Sequence, residues 1–516
     1  MSLSGLRSSR RQFIKESAGL GVALALPLTW SSETKGQGLP TDITSMTASQ
    51  LSAAIRARQV SCVEVMRAYL ERIHRYNPVY NAIVSMLDDD ALLTEAARAD
   101  TELSRGEHRG WMHGIPHAVK DLSDARGLET SRGSRLFAGT IATADSIHIA
   151  RIRAAGAIFI GKTNVPELGL GSQSYNDVHG TTGNAYDPAL TAGGSSGGAA
   201  TGMATQMLPA ADGSDMMGSL RNPAAFNNVI GFRPSQGRVP SALTDPFYSQ
   251  LSTNGPMGRN VEDTIRLLAT MAGFDANAPL TMRDELPDYD AYRPRDLDGV
   301  RIGWLGDYEG YLATEPGVLD LCEQALGNLG RSGVIVEPAV ARYDLDRLWQ
   351  TWVRLRHWSN ASRQPLLEDP RTRSLLKPEM IWEIEGSFGL TARDLSEAAI
   401  ARIEWYRALH TLFERFDFLA LPSAQVFPFP ADVHWPQSIN GQTMDTYHRW
   451  MEVVIAGSLG GVPVVNVPVG FDDRGRPMGM QLIGPFGEDR AVLEFAMAYE
   501  ASTDFLDRRP DLRETL

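Results

Sequence analysis

The chain has 516 residues, 43% of them hydrophobic and 22% charged, with a formal net charge of -13. That length can bury one large core or two to three smaller ones, and the acidic balance offers no basic face for a nucleic-acid partner. Its two cysteines, Cys62 and Cys322, belong to no CxxC or CxxH pattern, so they read as buried thiols and no metal site is expected.

Residues 9–15 read SRRQFIK, and AGLGVALALPL follows at 18–28. An arginine pair, an aromatic and a lysine before a short apolar run form the pattern of a twin-arginine export signal. The apolar run is about 11 residues, short of the roughly 20 that span a bilayer. The expected destination is therefore the periplasm or beyond, with membrane contact only transiently during export. Residues 1–40 read as signal peptide and linker, and 41–516 as a single domain with a variable inserted region around 275–400.

Apolar residues at helical spacing run through 47–76, where Thr47 and Gln50 match a capping box and Asn77-Pro78 ends the pattern. A strand is expected at 81–87, a helix at 89–105, a strand at 113–121, a helix at 145–156 and a strand at 157–164. Residues 172–198 are dense in Ser, Asn, Gly and Thr and read as loop. A small-residue helix at 199–207 leads into a buried strand, LPAADGS. Further on come helices at 262–273, 315–332, 393–415 and 488–502. The later strands fall at 300–305, 416–424, 462–471 and 478–485. Strands and helices alternate, so the fold class is α/β with helices covering a sheet.

Three stretches could carry chemistry. Lys120 leaves the apolar strand HAVK, and burial there lowers an amine's pKa toward the range of a general base. Lys162, in FIGKTN, has the same local setting and reads as structural. AGGSSGGAA at 192–200 lets the backbone approach closely around Ser195 and Ser196. GSDMMGSLRNP at 213–223 places Ser219 before Asn222 and Pro223, which suit a helix N-cap and first position. Backbone N–H groups at 216–219 can converge on an oxyanion. No nearby histidine has an evident aspartate partner, and MGSLR lacks the last glycine of a nucleophile elbow.

Together these stretches resemble the amidase signature family. Its lysine segment matches GIPHAVKD at 114–121, its GGSSGG run matches Ser195, and its nucleophile segment ends at Ser219. GKTNVPELG at 161–169, NPAAFNNVIGFRPSQGRVP at 222–240 and GVPVVNVPVGFDDRGRPMGMQLIGP at 461–485 also fit. The resemblance covers residues 43–502. It implies a large mixed, mostly parallel twisted sheet with helices on both sides. It also implies amide hydrolysis through a serine acyl-enzyme, without a cofactor, on a small-molecule amide.

In that scheme Lys120 is the base, Ser195 relays the proton across a cis Gly194–Ser195 peptide, and Ser219 attacks. Met216, Met217, Gly218 and Ser219 supply oxyanion N–H groups. Ser196 has a supporting role, Asp215 and Arg221 pair to hold the turn, and a homodimer is one expectation for assembly. Met217 stands where the family has glycine and is expected to narrow the acyl pocket. Two alternatives remain: a glutaminase-type subunit of an amidotransferase, and an inactive periplasmic binding relative. The tryptophans of 341–392 and the segment 446–454 are where pocket walls are sought, without assignment.

Overall fold

Two capping boxes open the chain. Thr47 with Gln50 starts helix α1 (Ala48–Arg56), and Ser61 with Glu64 starts α2 (Cys62–Tyr80). The single periodic run is thus two helices, broken where Ser61 begins a new cap. Asn77-Pro78 does not stop α2. Pro78 sits in its last turn, and Asn81, in the left-handed region with φ 48, closes it by donating to the Asn77 carbonyl oxygen. The computed structural model describes residues 40–242 and 250–512, which form one compact unit. The expected export signal lies outside the described residues.

Eleven strands build the two main sheets: β1 (Ile83–Val84), β2 (Pro116–Lys120), β3 (Ile158–Thr163), β4 (Ala210–Asp215), β5 (Ile230–Arg233), β6 (Thr253–Gly258), β7 (Arg301–Trp304), β8 (Ile335–Pro338), β9 (Phe418–Pro422), β10 (Val464–Phe471) and β11 (Pro477–Ile483). The large sheet has eight strands in the order β8-β7-β9-β11-β10-β5-β6-β4, and a three-stranded sheet runs β1-β3-β2. The α/β class and the large mixed sheet hold.

The parallel majority does not. Only β8 with β7 and β7 with β9 run parallel in the large sheet; its other neighbours are antiparallel. Parallel neighbours need a long crossover, whereas β10 and β11 are joined by the tight turn that follows Phe471. The edge strand β8 and its neighbour β7 come from the 275–400 region, so that region contributes to the main sheet.

The apolar strands β9, β10 and β11 are buried almost throughout and centre the main core with Trp349, Trp352, Trp405 and Phe495. A second cluster, built on α2 and the small helix α3 (Gly197–Ala204), packs under β1, β3 and β4. Gly198 makes that approach possible. A Cβ there would lie 2.4 Å from both the Ala82 carbonyl oxygen and the Asn164 nitrogen. Gly198→Ala is therefore expected to lower stability by about 1–3 kcal/mol through overpacking. A thermal melt checks it, and an unchanged midpoint would show that α3 is not seated as described.

Candidate active site

Lys120 ends β2, a strand buried along its whole length, and the residue has no exposure. Its Nζ lies 2.9 Å from Ser195 Oγ, 2.7 Å from Ser196 Oγ and 3.1 Å from the Ser214 carbonyl oxygen. The carbonyl can only accept. A neutral amine with two N–H groups therefore donates to it and to one serine, and accepts from the other. Burial pulls the Lys120 pKa down to about 7, against the opposing pull of Asp212 and then Asp215.

Both carboxylates are compensated. His117 Nε2 lies 3.0 Å from Asp212 Oδ1, which also accepts the Lys120 backbone N–H at 3.2 Å. Burial opposes ionisation of Asp212, but the hydrogen bond and charge of His117, the nearby His148 and the Lys120 N–H together outweigh it, and its pKa is lowered. This is the aspartate that local sequence did not reveal as a histidine partner. It faces the lysine's strand and has no contact with Ser219. Lys162 donates to the Ser123 carbonyl oxygen and, at 3.1 Å, to Thr130 Oγ1, a structural tie away from the two serines.

The turn after β4 is built on Asp215. Its Oδ2 accepts from Arg221 Nε and Leu220 N, both at 3.0 Å. Its Oδ1 accepts from Arg221 Nη2 at 2.8 Å, Gly218 N at 2.9 Å and Arg233 Nη1 at 3.2 Å. Burial opposes the charge, but Arg221 and then Arg233 hold the carboxyl well below its ordinary range. The expected Asp215–Arg221 pair is present. Arg221 also donates to the Val454 carbonyl oxygen, Gln481 Oε1 and Ser458 Oγ at 2.6–2.8 Å.

Helix α4 (Arg221–Phe226) begins one residue before the expected cap, so Asn222 lies inside it. Its Oδ1 instead faces Ser172 Oγ at 2.6 Å. Ser219 stands just ahead of α4 and is 7% exposed. Its Oγ has no hydrogen-bond partner among the described residues. The Gly194–Ser195 peptide is cis.

Two expectations for the turn change. Gly218 N–H is committed to Asp215, so it is not a free oxyanion donor; a buried carboxylate must recruit such donors. The N–H groups of Met216, Met217 and Ser219 have no acceptor among the described residues. The residue requiring glycine is Gly218, with φ 78, where a Cβ would meet Val454 Cγ2 at 2.9 Å. Met217 is outside the left-handed region and lies in the main core. Met216 lines the neighbouring cavity, so it takes the wall position expected of Met217.

That cavity measures about 910 Å³ and reaches the site through Ser214 and Met216. Sequence reasoning missed Arg356 in its wall. The guanidinium is held by buried Glu383, with Nε 2.7 Å from Oε1, and it touches the Met216 sulfur. Tyr447 donates to the same Glu383 oxygen at 2.5 Å. Of the tryptophans, Trp358 lines the cavity and Trp349 and Trp352 are core. Trp382 packs against His357 with the rings tilted and their centroids 4.4 Å apart.

Removing Arg221 would leave Asp215 buried with only Arg233 as its counter-charge. Arg221→Met is expected to cost about 3 kcal/mol, the lower end for breaking a buried pair. Chemical denaturation checks it, and a loss below about 1 kcal/mol would mean that Arg233 alone suffices.

A family model described as Amidase matches residues 64–493. The A subunit of the glutamyl-tRNA(Gln) amidotransferase of Methylococcus capsulatus is 32% identical, over 90% of this chain and 98% of that protein. An acylamidase of Rhodococcus erythropolis is 30% identical, over 90% of this chain and 97% of its own. The crystal structure of a bacterial aryl acylamidase of the amidase signature family superimposes with a TM-score of 0.83 at 26% identity, covering 90% of this chain and 98% of that one. This chain belongs to the amidase signature family and is a hydrolase of carboxylic amide bonds.

Proposed function

We propose that the reaction runs through a Ser219 acyl-enzyme with Lys120 as its base. The observation that carries this is the fully buried Lys120 amine, 2.9 Å from Ser195 Oγ and with its pKa pulled down to about 7. Neutral Lys120 takes the Ser195 hydroxyl proton while Ser195 takes that of Ser219, and Ser219 Oγ bonds to the amide carbonyl carbon. The oxyanion is met by N–H groups from Met216, Met217 and Ser219, each worth roughly 3–4 kcal/mol in such a site. The C–N bond then breaks, and the departing nitrogen takes the proton returned from Lys120 through Ser195. Water attacks the ester by the same relay and releases the acid.

The second link, Ser195 to Ser219, is not a hydrogen bond among the described residues; catalytic contacts of this kind tighten when substrate binds. Ser196, 2.7 Å from Nζ, shares the amine's hydrogen bonds and helps to hold it. Met217 does not line the cavity, which removes the ground for reading the protein as an inactive binding relative.

Similarity to an amidotransferase A subunit favours a second reading, in which glutamine is the amide and the ammonia goes to a partner. Ammonia release from glutamine only after partner subunits are added would support it. The export pattern SRRQFIK argues for the first reading and for a periplasmic site of action. Replacing both Arg10 and Arg11 by lysine should hold the protein in the cytoplasm, as cell fractionation would show. Equal periplasmic yield would remove the export assignment.

Ser219→Ala should lower kcat on any accepted anilide by at least about 10³-fold. Full activity in that variant would overturn the nucleophile assignment.

A further inference from the structure

Among the described residues, the guanidinium groups of the cavity beside the site outnumber the carboxylates free to balance them. Three guanidinium groups line it: Arg132, Arg356 and Arg363. Arg356 is balanced by buried Glu383 at 2.7 Å, and Arg132 by Asp124 at 3.2 Å. Asp145, also in the wall, is already taken by Arg153 at 2.8 Å. Arg363 has no carboxylate partner among the described residues; its hydrogen bond goes to the neutral Asn360 Oδ1. Burial and then the charges of Arg356 and Arg132 push the Arg363 pKa down, and only Glu383 acts against them. A half-buried cation in the field of two others is, among the described residues, short of one negative charge.

Resting on the amide-hydrolase reading above, we propose that Arg363 is a specificity residue that receives a carboxylate of the substrate. The preferred amides are then anionic, with the acid group remote from the scissile bond. Arg363 presents a planar fork that a carboxylate accepts in two hydrogen bonds. Arg132 lies on the same wall and adds a second positive charge to the field. Met216 and Ser214 mark where the cavity meets the serines, so the acyl part lies between that end and the arginines. Arg356 is tethered to Glu383 and Tyr447 and serves as part of the wall.

The test uses the monoanilide of glutaric acid and its uncharged methyl-ketone isostere. At low ionic strength the wild-type protein should show kcat/KM higher for the acid by about tenfold or more, carried by KM. In Arg363→Gln the ratio of the two should fall to near one, and Arg363→Lys should restore part of it. Equal rates on the two anilides in the wild type would overturn the proposal, as would a preference that survives in Arg363→Gln. Hydrolysis of the uncharged isostere reports the amide-hydrolase reading separately, because it needs no charge recognition. Calorimetry with glutarate adds a readout independent of turnover: binding weakened about tenfold in Arg363→Gln supports the subsite, and equal affinity contradicts it.

Discussion

The site depends on one amine kept out of water. Lys120 is fully buried, and its three neighbours are two hydroxyls and a carbonyl, none of them charged. Desolvation alone would drive the proton off; two carboxylates nearby would put it back. What decides the balance is that neither carboxylate is free. Asp212 is bound to His117, and Asp215 is bound to both Arg221 and Arg233. The two arginines weaken the field that Asp215 exerts on the lysine, and the His117 hydrogen bond occupies an oxygen of Asp212. The arginines that shape the turn thus also help to set the protonation of a base that they do not touch.

The same ion cluster joins distant parts of the chain. Arg221 reaches the Val454 carbonyl oxygen, Ser458 and Gln481 of β11, so the turn bearing Ser219 is fastened to the centre of the sheet. Val454 in turn presses on Gly218, whose left-handed backbone leaves no room for a side chain. Function at the end of β4 is therefore sensitive to packing more than 200 residues away in sequence. Of these partners, Gln481 stands on the antiparallel hairpin β10–β11, and Val454 and Ser458 on the helical segments just before it.

Much of this was legible locally. Lys120, Ser195 and Ser219 each sit in a short motif whose spacing survives in sequence, and the apolar strands β9, β10 and β11 announce themselves by composition. Strands β5, β6 and β8 are not legible locally, because IGFR, TNGPMG and IVEP carry too few consecutive apolar residues to stand out. Met216 and Met217 are neighbours on one turn. Which of them faces the cavity is decided by what packs behind them. Gly218 lost its expected role for a similar reason: its N–H direction is set by the Asp215 carboxylate. The Arg356–Glu383–Tyr447 group joins three separate stretches, and no local pattern marks it.

The buried base is tested most directly by the titration of Lys120 itself, followed by the nitrogen resonance of its side chain in the folded protein. A titration near pH 7 is expected, with the amine neutral at higher pH. A Lys120 that stays protonated to about pH 10, the ordinary value for lysine, would contradict it, because no neutral base would then be available to the serines.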